Sequence, residues 1–236
     1  PHRAAGDGVL YLSYGDAPGP NRMNDGAVWR YAPATGEWHD ITPAPQSSDT
    51  ERDGFGWGAV AVDPADPKGL LASTFCRYGP HDEIFRSVDG GAHWTPLLAG
   101  AQFDHDSAEW TRDATPHWIA ALAIDPFDAD HAMFVTGYGV WASRNLRQAG
   151  TAPVRWSFDD AGLEETVPLA LVSPATGAAA LVSGVGDLDG FRHDDLDRPQ
   201  RQLDGPRLTN TEALADAGQA PERLVRAGRL RRHEGQ

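Results

Sequence analysis

At 236 residues with 40% hydrophobic side chains, the chain is long enough to bury a substantial core as one or two domains. Its 34 acidic against 20 basic side chains give a formal charge of -14, which repels nucleic acid and anionic membrane and argues against either as a main partner. No apolar run approaches the ~20 residues of a membrane helix, and the single cysteine, Cys76, permits no intrachain disulfide.

The 26 glycines and 18 prolines call for many tight turns, and the chain reads as short strands from its start. Leu10-Tyr-Leu-Ser-Tyr14 is predicted as the second strand of a unit whose first strand lies before Pro1. Ala59-Val-Ala-Val-Asp-Pro64 recurs as Ala121-Leu-Ala-Ile-Asp-Pro126 and, more loosely, as Leu169-Ala-Leu-Val-Ser-Pro174. Each is an apolar run stopped by proline, which lacks a ladder donor. A second run follows each: Leu70–Thr74, Ala132–Thr136 and Ala179–Ser183. A third follows those at Ile84–Ser87, Gly139–Ser143 and Gly190–His193, and fourth strands begin near Trp94 and Trp156. A repeat of four antiparallel strands, roughly 45–60 residues long, is the pattern of a β-propeller blade. Glu212–Asp216 is predicted to open a further unit that is not completed, and the basic stretch Leu224–His233 departs from the strand pattern. An open arc of blades leaves unpaired edges, so an internal portion of a longer protein is expected.

Within the first full repeat, Ser87-Val-Asp89-Gly-Gly91-Ala-His-Trp94 fits the Asp-box hairpin, Ser-x-Asp-x-Gly-x-x-Trp. Asp89 accepts turn N–H groups, Gly91 supplies a positive φ and Trp94 packs over the hairpin, so Ser87, Asp89, Gly91 and Trp94 are structural. Val28–Trp38 is a degenerate copy; Trp38, Trp94 and Trp156 are read as core.

Several stretches carry a resemblance. They include Leu10–Pro20, Asp25–Tyr31, Asp82–Gly91, Pro116–Ile119, Ala123–Phe127, Gly137–Trp141, Gly162–Thr166 and Gly186–Asp195, in order from about residue 9 to 215. This set resembles glycoside hydrolase family 74, the xyloglucan-cleaving endo-β-1,4-glucanases. The resemblance implies an all-β fold of two tandem seven-bladed propellers around a cleft. Residues 1–185 would supply later blades of the first propeller, 186–224 the crossing into the second, and 225–236 an atypical end. It further implies an inverting, secreted hydrolase of β-1,4-glucan, monomeric when whole, acting without cofactor or metal on a polysaccharide.

The family pattern pairs two aspartates, one in a Thr-Asp-Ile-Gly-Gly motif and one in a Gly-Asp-x-x-Gly-Phe motif. Only the second has a counterpart here, Gly186-Asp187-Leu-Asp-Gly190-Phe191, so Asp187 is the catalytic candidate and general acid, its partner lying outside the chain. On composition alone Asp187, Asp189, Asp194, Asp195 and Asp197 form a solvated acidic loop, and their spacing lacks the Asp-x-Asp-x-Asp-Gly calcium pattern. The family often has a small residue at the place of Asp189; a second carboxylate there is expected to raise the pKa of Asp187 or to compete for its role. Sugar-binding candidates are Tyr14, Trp57, Tyr78, Trp118, Tyr138, Arg192 and His193, with core packing the competing reading for each aromatic. Where many members carry adjacent tryptophans before Asp82, this chain has Tyr78 and Gly79, half of such a platform. His117 is read as structural. A sialidase-like exo-glycosidase, which needs an arginine cluster for a substrate carboxylate, and a non-catalytic Asp-box binding module are the alternatives.

Overall fold

The computed structural model describes residues 2–3, 8–44, 54–113, 116–161, 163, 166–198 and 200–230. They fall into two compact units, one of residues 1–104 with 114–163 and the other of 105–113 with 164–236.

The first unit holds three sheets. Strands β1 (His2–Arg3), β2 (Leu10–Gly15), β3 (Gly26–Ala32) and β4 (Glu37–Asp40) form an antiparallel meander. The partner of Leu10–Tyr14 is therefore His2–Arg3, within the chain rather than before Pro1. A second meander runs through β5 (Gly56–Val62), β6 (Leu70–Phe75), β7 (Ile84–Ser87) and β8 (Thr95–Pro96). In the third, β10 (Leu122–Ile124), β11 (Ala132–Thr136), β12 (Gly139–Ser143) and β13 (Arg155–Phe158) form the meander. A preceding strand, β9 (Gln102–Asp104), lies parallel to β13 and covers its edge. Each contains the four-stranded meander expected of a blade, the third with β9 as a fifth strand. Tyr11 and Val28 of the first sheet, with Val9 just before it, bury themselves with Trp57, Val60, Leu70 and Ala72 of the second, and Phe55 just before that, in one apolar cluster.

The Asp-box behaves as its chemistry requires. The Ser87 hydroxyl donates to Asp89 Oδ1 at 2.8 Å and accepts the Gly91 N–H at 2.9 Å. Asp89 Oδ1 also accepts the His93 N–H at 2.9 Å, and Trp94 Nε1 donates to the Ile41 carbonyl at 2.9 Å. Gly91, at φ +93°, faces the Ile41 side chain so closely that a Cβ would sit 2.8 Å from it. The third sheet repeats the device in a form hidden from the sequence pattern. Ser143 Oγ donates to Asn145 Oδ1, which accepts the Arg155 N–H at 2.9 Å, with a 3₁₀ turn (Leu146–Gln148) inserted before Trp156. Trp156 is buried as expected, whereas Trp38 is 53% exposed: it lies on β4, whose residues all face solvent, and stacks on Tyr31 with ring centroids 4.3 Å apart.

The second unit contains the meander β14 (Pro168–Val172), β15 (Leu181–Val185), β16 (Gly190–His193) and β17 (Arg201–Gln202), and a long hairpin of β18 (Leu208–Ala217) and β19 (Ala220–Leu230). A boundary at residue 186 would part β15 from β16, which are paired strands of one sheet. Glu212–Asp216 lies in β18, and the basic stretch through Leu230 is its partner β19 rather than an atypical end. Residues 231–236 lie outside the described residues, as do 162, 164 and 165 of the Gly162–Thr166 stretch.

Candidate active-site turn and aromatic cluster

In the second unit, the tight turn between β15 and β16 carries the candidate carboxylate. Asp187 and Asp189 both adopt left-handed backbone, at φ +64° and +65°, a conformation side chains resist unless held. Several ties hold it. Val185 N–H donates to the Asp189 carbonyl at 2.9 Å, Gly186 N–H to that of Val167 at 2.9 Å, and Leu188 N–H to that of Gly186 at 2.8 Å. The Asp187 N–H donates to Asn210 Oδ1 at 2.9 Å, which leaves the Asp187 side chain exposed at the tip.

Asp189 is its opposite. It is fully buried and accepts from Thr211 Oγ1 at 2.6 Å, from the Leu208 N–H at 3.1 Å and from Arg226 Nη1 at 2.5 and 2.6 Å. Its charge is thus compensated by Arg226, and it neither competes with Asp187 for substrate nor stands beside it as a free like charge. This corrects the expectation drawn from sequence. Arg226 lies 37 positions away on β19, and no local spacing in the sequence connects it to Asp189.

Of the polar candidates, Arg192 is exposed and paired with Asp194, Nε to Oδ1 at 2.8 Å. His193 is half-buried, its Nε2 2.9 Å from Ser183 Oγ, and burial pulls its pKa below the usual imidazole value, keeping it neutral. The adjacent Phe191 is buried against Trp110, with ring centroids 6.2 Å apart.

In the first unit, three aromatic candidates converge. Tyr78, 51% exposed, accepts from Trp118 Nε1 at 2.9 Å on its hydroxyl and donates to Asn21 Oδ1 at 2.6 Å. The His117 ring lies among them, with centroids 6.4 Å from Tyr78, 4.7 Å from Trp118 and 5.2 Å from Tyr138. Trp118 sits at φ +59° because the Asp82 carboxylate takes its N–H at 2.6 Å, and Gly137 leaves room for its indole. Burial raises the pKa of Asp82 despite its hydrogen bonds from Thr74, Arg77 and Trp118, and burial likewise raises that of the Tyr78 phenol. The Cys76 thiol is pushed up to about 12, chiefly by burial, so it stays protonated and inert as a nucleophile.

The remaining aromatic candidates lie apart from this cluster. Trp57 is only 2% exposed, packed on Phe55 and Phe85, so it belongs to the core and not to a binding surface. Tyr14 is half-exposed in an apolar cleft of about 440 Å³ with Leu12, Ser13, Trp29 and Trp38.

No protein-family profile matches the chain. A curated xyloglucanase of a Paenibacillus species is 37% identical over 245 residues, covering 94% of this chain and 24% of the relative. An oligoxyloglucan-reducing end-specific xyloglucanase of Emericella nidulans is 34% identical over 270 residues, covering 95% of this chain and 33% of its own length. Among solved structures, the crystal structure of a GH74 xyloglucanase from Xanthomonas campestris superimposes with a TM-score of 0.91 at 60% identity, over 99% of this chain and 33% of that one. A GH74 enzyme from Niastella koreensis gives a TM-score of 0.80 at 26% identity, over 93% of this chain and 32% of its own. The chain therefore spans about a quarter to a third of the length of these relatives. Its four-stranded sheets are propeller blades, as those neighbours' are.

Proposed function

This chain belongs to glycoside hydrolase family 74 as a partial chain, and from that premise we propose that it supplies one catalytic carboxylate and part of the sugar-binding surface of a secreted xyloglucan hydrolase. The observation that carries this reading is the turn at Gly186–Phe191, where Asp187 is held at the exposed tip by its backbone while its side chain stays free for substrate. Xyloglucan has a β-1,4-glucan backbone whose flat apolar faces stack on aromatic rings, and the Tyr78–Trp118–Tyr138 cluster offers such rings, Tyr78 and Trp118 joined by a hydrogen bond and Tyr138 set against His117.

An inverting glycosidase needs an acid to protonate the leaving oxygen and a base to activate water on the opposite face, about 6.5–9.5 Å away. Asp187 is assigned the acid. The base comes from a segment outside these 236 residues. Cleavage then breaks the glycosidic C–O bond as Asp187 gives its proton to the departing sugar oxygen, and water adds at the anomeric carbon as the base takes its proton. The product anomer is inverted. The whole protein is expected to act outside the cell as a monomer.

The test is Asp187→Ala in an active polypeptide that contains this segment. Hydrolysis of xyloglucan is expected to fall about 10²–10⁴-fold or more while binding persists; retained hydrolysis would overturn the assignment. Proton NMR of the first-formed product distinguishes inversion from retention.

A further inference from the structure

Resting on the reading of Asp187 as the catalytic carboxylate, we infer that Arg226 and Asn210 are positioning residues, through which the β18–β19 hairpin sets the catalytic turn. The ties that hold the left-handed residues of that turn from outside come from this hairpin. Asn210 Oδ1 takes the Asp187 N–H at 2.9 Å, and the Thr209 carbonyl takes the Asp189 N–H at 3.2 Å. The Asp189 carboxylate gathers the Leu208 N–H, the Thr211 hydroxyl and the Arg226 guanidinium from both strands. Arg226 in turn reaches the carbonyls of Asp204 at 2.9 Å and Pro206 at 2.5 Å, so one guanidinium ties the turn, the segment after β17 and the hairpin together.

The chemistry explains why the tie matters to a residue that Arg226 does not touch. A glycine at position 189 would take φ +65° freely, and the turn would need no anchor. An aspartate takes it only because its buried carboxylate is paired; the Asp189 side chain is fully inaccessible and that of Arg226 is 14% exposed. Removing Arg226 alone strands a buried charge, which escapes by withdrawing the turn toward solvent. Asp187 sits two residues along the same turn and moves with it. A displacement of about 1 Å in a reacting group costs on the order of 10²-fold in rate.

The experiment uses an active polypeptide containing this segment, with initial rates and pH–rate profiles on a xyloglucan oligosaccharide at temperatures well below each variant's unfolding midpoint. Arg226→Met is expected to lower kcat on the order of 10²-fold, with KM nearly unchanged and the alkaline limb of the profile, which the general acid governs, displaced. Asn210→Ala, which leaves the ion pair intact, is expected to lower kcat about tenfold in the same manner. Asp189→Gly combined with Arg226→Met removes the orphan charge and relieves the backbone together, and is expected to recover most of the lost kcat. If Arg226→Met lowers only the unfolding midpoint, with kcat and the pH profile of the parent, the pair is merely structural and the inference is overturned. Failure of the double variant to exceed Arg226→Met in kcat overturns it as well. Full activity of Asp187→Ala, measured alongside, marks failure of the underlying assignment instead.

Discussion

The Asp82 carboxylate accepts the backbone N–H of Trp118 at 2.6 Å across 36 positions of sequence, and so joins two loops that carry the aromatic cluster. Its other oxygen takes the Thr74 hydroxyl at 2.7 Å and the Arg77 N–H at 3.0 Å, next to Tyr78. One buried acid therefore sets the backbone beside both rings. Asp82→Ala leaves buried donors without acceptors, each costing about 1–3 kcal/mol. It is expected to destabilise the chain by ~2–4 kcal/mol in urea unfolding and to weaken binding of glucan oligosaccharides.

The same residue predicts a pH dependence. Burial raises the folded-state pKa of Asp82 above its ordinary 3.8. The sign for a raised carboxyl is that its contribution to stability is full below the unfolded pKa and is lost as pH rises through the folded value. Relative to Asp82→Asn, which does not titrate, the parent chain is therefore expected to lose stability as pH climbs from about 4. Unfolding midpoints of the two proteins measured across that range check it; a difference that stays flat would mean that the carboxyl is not perturbed.

Gly137 tests the cluster without deleting a ring. A Cβ at this position would lie 2.6 Å from the Trp118 indole, closer than real side chains approach. Gly137→Ala must push the indole aside or shift its own hairpin. Weaker oligosaccharide binding, read as reduced quenching of tryptophan fluorescence, is expected with a smaller loss of stability, about 1–3 kcal/mol. Unchanged binding would separate Trp118 from the sugar surface.

Much of the fold is legible in the sequence because each blade repeats apolar runs ended by proline. Leu70–Phe75 and Ala132–Thr136 fall where the pattern puts them. Strands of two or three residues escape it: Arg201–Gln202 and Gln102–Asp104 carry too few side chains for any period to register. Basic charge hid β19, whose arginines face solvent except where Arg226 turns inward to Asp189. The candidate site divides the same way. Asp187 stands out from the neighbouring aspartates only through the family resemblance of its motif, and whether an aromatic residue is core or surface depends on its sheet face, which separates buried Trp57 from exposed Tyr78.

The Asp-box makes a prediction of opposite sign to that of Asp82. Hydrogen bonds from the His93 backbone and ring and from the Ser87 hydroxyl lower the Asp89 pKa from 3.8 to about 2. A depressed carboxyl contributes stability that is present above the unfolded pKa and lost as pH falls through the folded one. Asp89→Asn is therefore expected to be less stable than the parent at pH 5, with the gap narrowing between about pH 4 and pH 2. Paired thermal melts across this interval check it, and catalytic activity near neutral pH is expected to survive the substitution.

Trp57 and Tyr78 form the sharpest contrast between fold and function, since sequence offers both as sugar-binding aromatics. Trp57 lies in the cluster that joins the first two sheets of its unit, so Trp57→Ala opens a large cavity there. Substitutions of that size cost about 3–5 kcal/mol, and the remaining folded protein is expected to bind sugar as the parent does. Tyr78 is half-exposed, and its hydroxyl both accepts from Trp118 and donates to Asn21. Tyr78→Phe keeps the ring but releases both partners; Tyr78→Ala removes the ring as well. Stability is expected to change by less than about 1 kcal/mol in the first and by little more in the second, because few buried contacts are lost. Affinity for a glucan oligosaccharide is expected to fall severalfold in Tyr78→Phe and about tenfold or more in Tyr78→Ala, as loss of a stacking ring requires. Titration calorimetry on the variants decides it. Equal affinity in Tyr78→Ala and the parent would remove this cluster from the substrate path and leave sugar binding to other residues.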